Sequence, residues 1–211
     1  MSDCTKEVHR LDILHAAIAE FGRLGYAAAS TNEIVKKAGV SKGLLFHHFK
    51  NKETLYTACQ LYVLEQYGAY MMEHKDLSGT DLFERILSNL RIKMAFGIKN
   101  PTLWDFINRA WTLEDGEGLI NNIEAKEYVL KAMQAQANFF FEGINTSLFR
   151  EGYDIVKIMK YAQTMLEAHW KQFSNSHQND MDTIIASMDT YFQEAHEIVD
   201  LLRNGAYSHI N

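Results

Sequence analysis

The sequence predicts an all-α protein, and three observations carry that prediction. Across 211 residues there is one proline, Pro101, and there are twelve glycines, too little punctuation for a fold of many short strands. Long stretches are rich in Leu, Met, Ala, Glu and Lys, which favour helices. Apolar residues return every three or four positions, and the pattern breaks where Gly, Ser, Asn and Asp gather. A chain of this length buries a substantial core and fits one or two domains.

Leu14, Ala17, Ile18 and Phe21 mark the first helix, and Gly25 supplies its stop. Ser30-Thr31-Asn32-Glu33 has capping-box spacing, so a short helix starts near Thr31 and buries Ile34 and Ala38. Gly39 takes the left-handed conformation that closes it, and Val40 buries in the turn. Ser41 then caps a third helix running from about Lys42 to His48. Leu45 and Phe49, four apart, form its inward face against Ile34 and Phe21. Leu55, Cys59 and Tyr62 are the inner face of a longer helix from about Lys52 to His74. In this order the elements build a helix-turn-helix, a unit that places its second helix in the DNA major groove.

Beyond Gly79 and Thr80, helices are predicted over about 81–98 and 101–113, with Pro101 in the first turn of the latter. Residues 114–118 read as an acidic loop, followed by a long helix over about 121–151 that Gly152 ends. Asp154 caps a helix over about 155–173, residues 174–179 form a loop, and a last helix over about 181–204 stops at Gly205. The last two long helices carry wide apolar stripes, among them Ile158, Met159, Ala162, Met165 and Leu166, then Tyr191, Ala195 and Val199. Stripes this wide suit helices packed on two sides, against their own domain and against a second copy.

Net charge is −6, but it is uneven. Residues 1–55 hold eight Lys/Arg against six Asp/Glu, and residues 56–211 hold thirteen against twenty-one. Within 31–52 five lysines face Glu33 alone, so positive charge collects where phosphates would be met. No apolar run is long enough to span a membrane, and the N-terminus lacks an apolar signal-peptide core. Cys4 and Cys59 carry no metal or redox spacing, which points to a cytoplasmic protein without a disulfide framework. Nothing suggests an enzyme. There is no nucleophile elbow, no glycine-rich phosphate loop and no metal spacing, and His196-Glu197 does not continue into a zincin motif.

From Arg10 to Leu55, about a quarter of the chain, the residues resemble the DNA-binding domain of TetR-family transcriptional regulators. The likeness rests on Ile13-Leu14, Ala17, Phe21, Gly25-Tyr26, Thr31, Ile34 and Ala38-Gly39-Val40-Ser41. It continues through Lys42-Gly43, Leu45-Phe46, His48-Phe49, Lys52-Glu53 and Leu55. The resemblance implies a three-helix head, residues 1–55, joined by a long helix to a helical ligand-binding and dimerisation body, residues 56–211. It further implies a homodimer through the last two long helices, a palindromic double-stranded operator, and a repressor released by a small, mostly apolar effector. No cofactor or metal is implied. A regulator or activator that answers to no small molecule is the alternative.

On the third helix, Lys42, Gly43, Leu44, Phe46 and His47 fall on or near the outward face. Lys42 can read guanine or meet a phosphate, Gly43 admits close backbone approach, Leu44 suits a thymine methyl, and His47 can donate to a base edge or phosphate. Ser41 caps the helix whether or not it also meets phosphate. By resemblance, Thr31, position 46, His48 and Lys52 hold the DNA backbone. Most relatives carry tyrosine where this chain has Phe46, so one phosphate hydrogen bond is missing there. Aromatics and methionines crowd between head and bundle; the resemblance places an effector pocket there, with Trp104, Trp111, Phe140, Met165 and His169 as the preferred lining.

Overall fold

The computed structural model describes residues 3–111, 127, 131, 140–177 and 180–207. Six helices come first: α1 Asp3–Ala28, α2 Thr31–Ala38, α3 Lys42–Phe49, α4 Lys52–His74, α5 Leu82–Lys99 and α6 Pro101–Trp111. After a 3-10 turn, Thr146–Leu148, come α7 Ile155–Ser176, α8 Met181–Ala186 and α9 Met188–Ala206. Among the described residues there is no strand, only an isolated bridge between Phe149 and Tyr207. The chain is all-α, as its composition predicts, and it divides into two compact units. One comprises Met1–Glu73 with Phe96–Ala135, the other His74–Ala95 with Gln136–Asn211.

The first unit is built around Ile13, Leu14, Ile18 and Phe21 of α1, Ile34 of α2, Leu45 and Phe49 of α3, and Leu55, Cys59 and Val63 of α4. Phe106 and Ala110 of α6 join the same cluster. The inward positions expected of α3 are therefore its buried ones. Burial of this kind, rather than intrinsic propensity, stabilises helices as short as the eight-residue α2 and α3. At Gly25 the backbone leaves helical geometry (φ 77°, ψ 171°), so α1 bends there and adds one more turn before Ala28. Gly39 is left-handed (φ 67°) and Ser41 accepts a hydrogen bond from the Leu44 amide at 3.2 Å, both as expected. The capping box at Ser30 does not form. Ser30 takes the N-cap backbone conformation, but its side chain makes no cap hydrogen bond, and the start of α2 rests on the Ile34 amide bonding the Ser30 carbonyl at 3.0 Å.

In the second unit, α7 and α9 pack through an aromatic cluster. Tyr191, fully buried, has its ring 5.1 Å from His169, 5.3 Å from Trp170 and 5.1 Å from Phe173. The side chain of Asp154 caps α7, accepting from the amides of Val156 and Lys157. Arg85, 4% exposed, donates to the carbonyls of Leu77, Gly79, Phe140 and Glu142.

Three predicted boundaries are corrected. The helix placed over 121–151 does not reach 151: its last helical residue is Phe141, because Glu142 and left-handed Gly143 (φ 72°) turn the chain toward the Arg85 guanidinium. Gly152 follows a separate turn and ends no helix, while the acidic loop at 114–118 lies outside the described residues. The last predicted helix is two, broken at Ser187, whose ψ of 9° is not helical. Gly205 does not stop α9, since Arg150 pins the next turn through the carbonyls of Asn204, Ala206 and Tyr207.

Candidate nucleic-acid interface

The turn from Gly39 to Ser41 holds α3 against the core by Leu45 and Phe49, and its other side chains are exposed or half-buried. Ser41, Lys42, Gly43 and His47 are exposed; Leu44, Phe46 and His48 are half-buried. Nothing but the Ser41 hydroxyl, at 3.9 Å, approaches a Cβ built on Gly43, so the backbone there is open to a close partner. Thr31 is the first residue of α2 and half-buried. Phe46 packs partly against the core cluster and lies under the Lys42 ammonium, 6.0 Å from its ring centre. The His47 and His48 rings sit 5.5 Å apart, and the His48 and Phe49 rings 6.1 Å apart. The fold thus brings Thr31, Ser41, Lys42, Gly43, Leu44, Phe46, His47 and His48 onto the α2–turn–α3 segment of the first unit.

Charges are arranged less simply than their count suggests. The Lys37 ammonium bonds the buried Glu20 carboxylate at 2.7 Å, and Arg23 approaches the same oxygen at 3.3 Å. Hydrogen bonding from Lys37 holds the Glu20 carboxyl below its ordinary range, against the opposing effect of burial. Lys52 donates to the Ala27 carbonyl at 3.1 Å, and its ammonium lies 4.8 Å from the Tyr26 ring centre. Two of the five lysines between 31 and 52 therefore have partners inside the head. The Glu20–Lys37 pair joins helices seventeen positions apart, and no local pattern announces it.

The preferred effector residues divide between the units. Trp104, 2% exposed, and Trp111 belong to the first; the side chain of Trp111 lies outside the described residues. Trp104 sits against Gly97, where a Cβ would come within 2.9 Å of the indole. Phe140, Met165 and His169 belong to the second. There Phe140 is buried, Met165 is 40% exposed, and His169 stacks on Tyr191 with Nε2 3.4 Å from the Glu194 carboxylate. A groove of about 440 Å³ in the second unit, lined among others by Tyr153, Lys157, Tyr161 and Leu201, includes none of the five. Burial depresses the half-buried Lys93 ammonium, with Glu167 opposing, a charge in the second unit that the apolar pattern does not reveal. Among the described residues no group of three His, Cys, Asp or Glu could hold a metal, and no helix is long and apolar enough to cross a membrane.

Comparison with known proteins agrees with this geometry. Residues 13–59 match the family model of bacterial regulatory proteins, tetR family. The TetC protein of transposon Tn10 from Escherichia coli is 41% identical over 66 residues, covering 31% of this chain and 34% of that protein, so the match spans about a third of the relative's length. Over nearly the whole chain the fold is that of solved structures. A TetR family transcriptional regulator from Chloroflexus aurantiacus superposes with a TM-score of 0.72 at 19% identity, covering 99% of this chain and 96% of that one. FadR from Bacillus subtilis, solved in complex with stearoyl-CoA, gives 0.58 at 19% identity, covering 92% and 98%. The helix-turn-helix is thus matched in sequence to the tetR family of bacterial regulatory proteins, and the whole chain is matched in fold to solved TetR family regulators.

Proposed function

We propose that the chain is a cytoplasmic repressor that binds a palindromic DNA operator as a homodimer and is released by a small, mostly apolar effector. The DNA-binding part is carried by one observation: a capped, eight-residue helix fixed by Leu45 and Phe49 turns Lys42, Gly43, Leu44 and His47 outward. In this reading residues 1–55 are the DNA-binding domain and 56–211 the effector-binding and dimerisation domain. Ser41, Lys42, Gly43, Leu44, Phe46 and His47 meet bases or adjacent phosphates. Thr31, His48 and Lys52, the last by giving up its bond to the Ala27 carbonyl, position the duplex through its backbone. Dimerisation through α7 and α9 accounts for Val156, Tyr161, Met165 and Leu201, apolar residues left 40% to 71% exposed on the single chain. Two heads one helical turn apart would then read two half-sites.

Release by an effector draws support from the FadR complex with stearoyl-CoA and from the buried aromatic content of this chain. Trp104, Trp111, Phe140, Met165 and His169 are the proposed lining. Any ligand shifts the dimer only by its difference in affinity between DNA-competent and incompetent states. The test is fluorescence anisotropy on DNA from upstream of the protein's own gene, with a scrambled duplex, a salt series and stearoyl-CoA as first trial effector. Two protomers per site, discrimination against the scrambled duplex and a log-linear fall with salt are expected. Equal, weak binding to both duplexes would contradict the reading. A well-bound operator that answers to no apolar ligand would favour a regulator without a small-molecule effector.

A further inference from the structure

We infer that Lys50, displayed on a strained turn at the end of the recognition helix α3, is a DNA-phosphate contact, an inference that rests on the DNA-binding reading above. Lys50 has φ 57° and ψ −52°, and the Asn51 amide donates across it to the Phe49 carbonyl at 2.5 Å. That combination is a γ-turn with positive φ, a strained form for a residue that carries a Cβ. Among the described residues the other four positive φ values all fall on glycine: Gly25, Gly39, Gly143 and Gly152.

The flanks impose the turn. The Lys50 amide still bonds the Phe46 carbonyl at 3.0 Å, so α3 is complete when the turn begins. Asn51 already serves α4, its side chain accepting from the Thr54 amide at 2.8 Å and its carbonyl from the Leu55 amide at 3.1 Å. One helix must therefore reverse into the next within two residues, and the residue between them absorbs the strain. Glycine would do so at lower cost. What lysine adds there is a cation, and it adds no packing, because the side chain is exposed.

That cation is uncommitted. Lys37 is paired with Glu20, and Lys52 with the Ala27 carbonyl and Tyr26, whereas no described residue takes the Lys50 ammonium. It stands at the C-terminal end of the helix whose N-terminal end displays Lys42. The two cations thus bracket the outward face of α3, as a pair meeting backbone on either side of a groove would. A phosphate contact carries no base information, so its loss must weaken binding to every sequence alike.

The experiment uses the full-length protein, a duplex it selects from a random pool, and a scrambled duplex. Lys50→Ala, Lys50→Gly and Lys50→Arg are compared with wild type. Alanine and glycine should each weaken binding to both duplexes by roughly threefold or more near 0.1 M salt and lower the slope of log K against log salt by about 0.9 per lysine removed. Arginine should keep wild-type affinity and slope. Glycine should also raise Tm a few degrees above that of the alanine variant, because only glycine relieves the turn. An unchanged salt slope in both the alanine and glycine variants overturns the contact. A glycine variant no more stable than the alanine one overturns the strain that the inference starts from. A wild type that selects no sequence over the scrambled duplex overturns the DNA-binding reading itself and takes this inference with it.

Discussion

Glu20 is the residue on which charge in the DNA-binding head turns. Its side chain is 1% exposed, and it holds Lys37 of α2 and Arg23 of α1 through one oxygen. A carboxyl held below its ordinary range in the folded state contributes stability above that range and loses it as pH falls through the folded value. Glu20→Gln is therefore expected to lower stability at pH 7. Because Lys37 is 43% exposed, solvent screening keeps the loss near ~1 kcal/mol. Thermal melts of both proteins from pH 7 to pH 3 check this. Their separation should shrink toward the acid end; a constant gap would mean that the pair's charge does not matter. The same pair takes one lysine out of the field offered to DNA, so the useful positive charge is smaller than the lysine count of residues 31–52.

Elements were legible where their cause is local. Ser41, Asp154 and Gly39 act within a few residues of themselves, and each caps or closes its helix as its type predicts. The inward face of α3 follows from spacing alone, and so do Leu55 and Cys59 of α4, but there Val63 is buried where spacing named the half-buried Tyr62. What spacing hides is the partner of each element. Arg109 of α6 donates to the Gly22 carbonyl of α1 at 2.9 Å, and Phe106 presses its backbone against Gly22 so closely that a Cβ there would meet its nitrogen at 3.1 Å. Gly22 is thus needed for approach and not for a turn, a role its sequence neighbourhood does not signal. The early end of the helix at Phe141 was hidden for a related reason, since it depends on Arg85, more than fifty positions away. Gly22→Ala should lower stability by roughly 1–3 kcal/mol, because backbone cannot swing aside as a side chain can. Calorimetry checks it; a neutral result would mean that the α1–α6 joint is loose. Similarly, the proposed DNA-facing residues lie on one short segment, whereas the proposed effector residues fall in both units and no single stretch of sequence orders them.

At the scale of the whole molecule, the exposed apolar residues of α7 and α9 carry the proposed dimer. Tyr161 is 58% exposed and Leu201 71%, and both border the groove of the second unit. A double substitution, Tyr161→Glu with Leu201→Glu, should leave the helical signal intact and convert a dimer to monomers in sedimentation equilibrium. Operator affinity should fall with it, because each half-site would then be bound alone. A dimer that survives both changes would place the interface elsewhere. Cys59 has a further use at this scale. Its thiol is fully buried in the cluster that joins α1, α3 and α4, and burial raises its pKa, so in the closed head it is both hidden and protonated. An alkylating reagent can reach it only when those helices part. With Cys4→Ser removing the other thiol in the sequence, the labelling rate becomes a clock for opening of the head, readable with DNA or a ligand present and without any added probe.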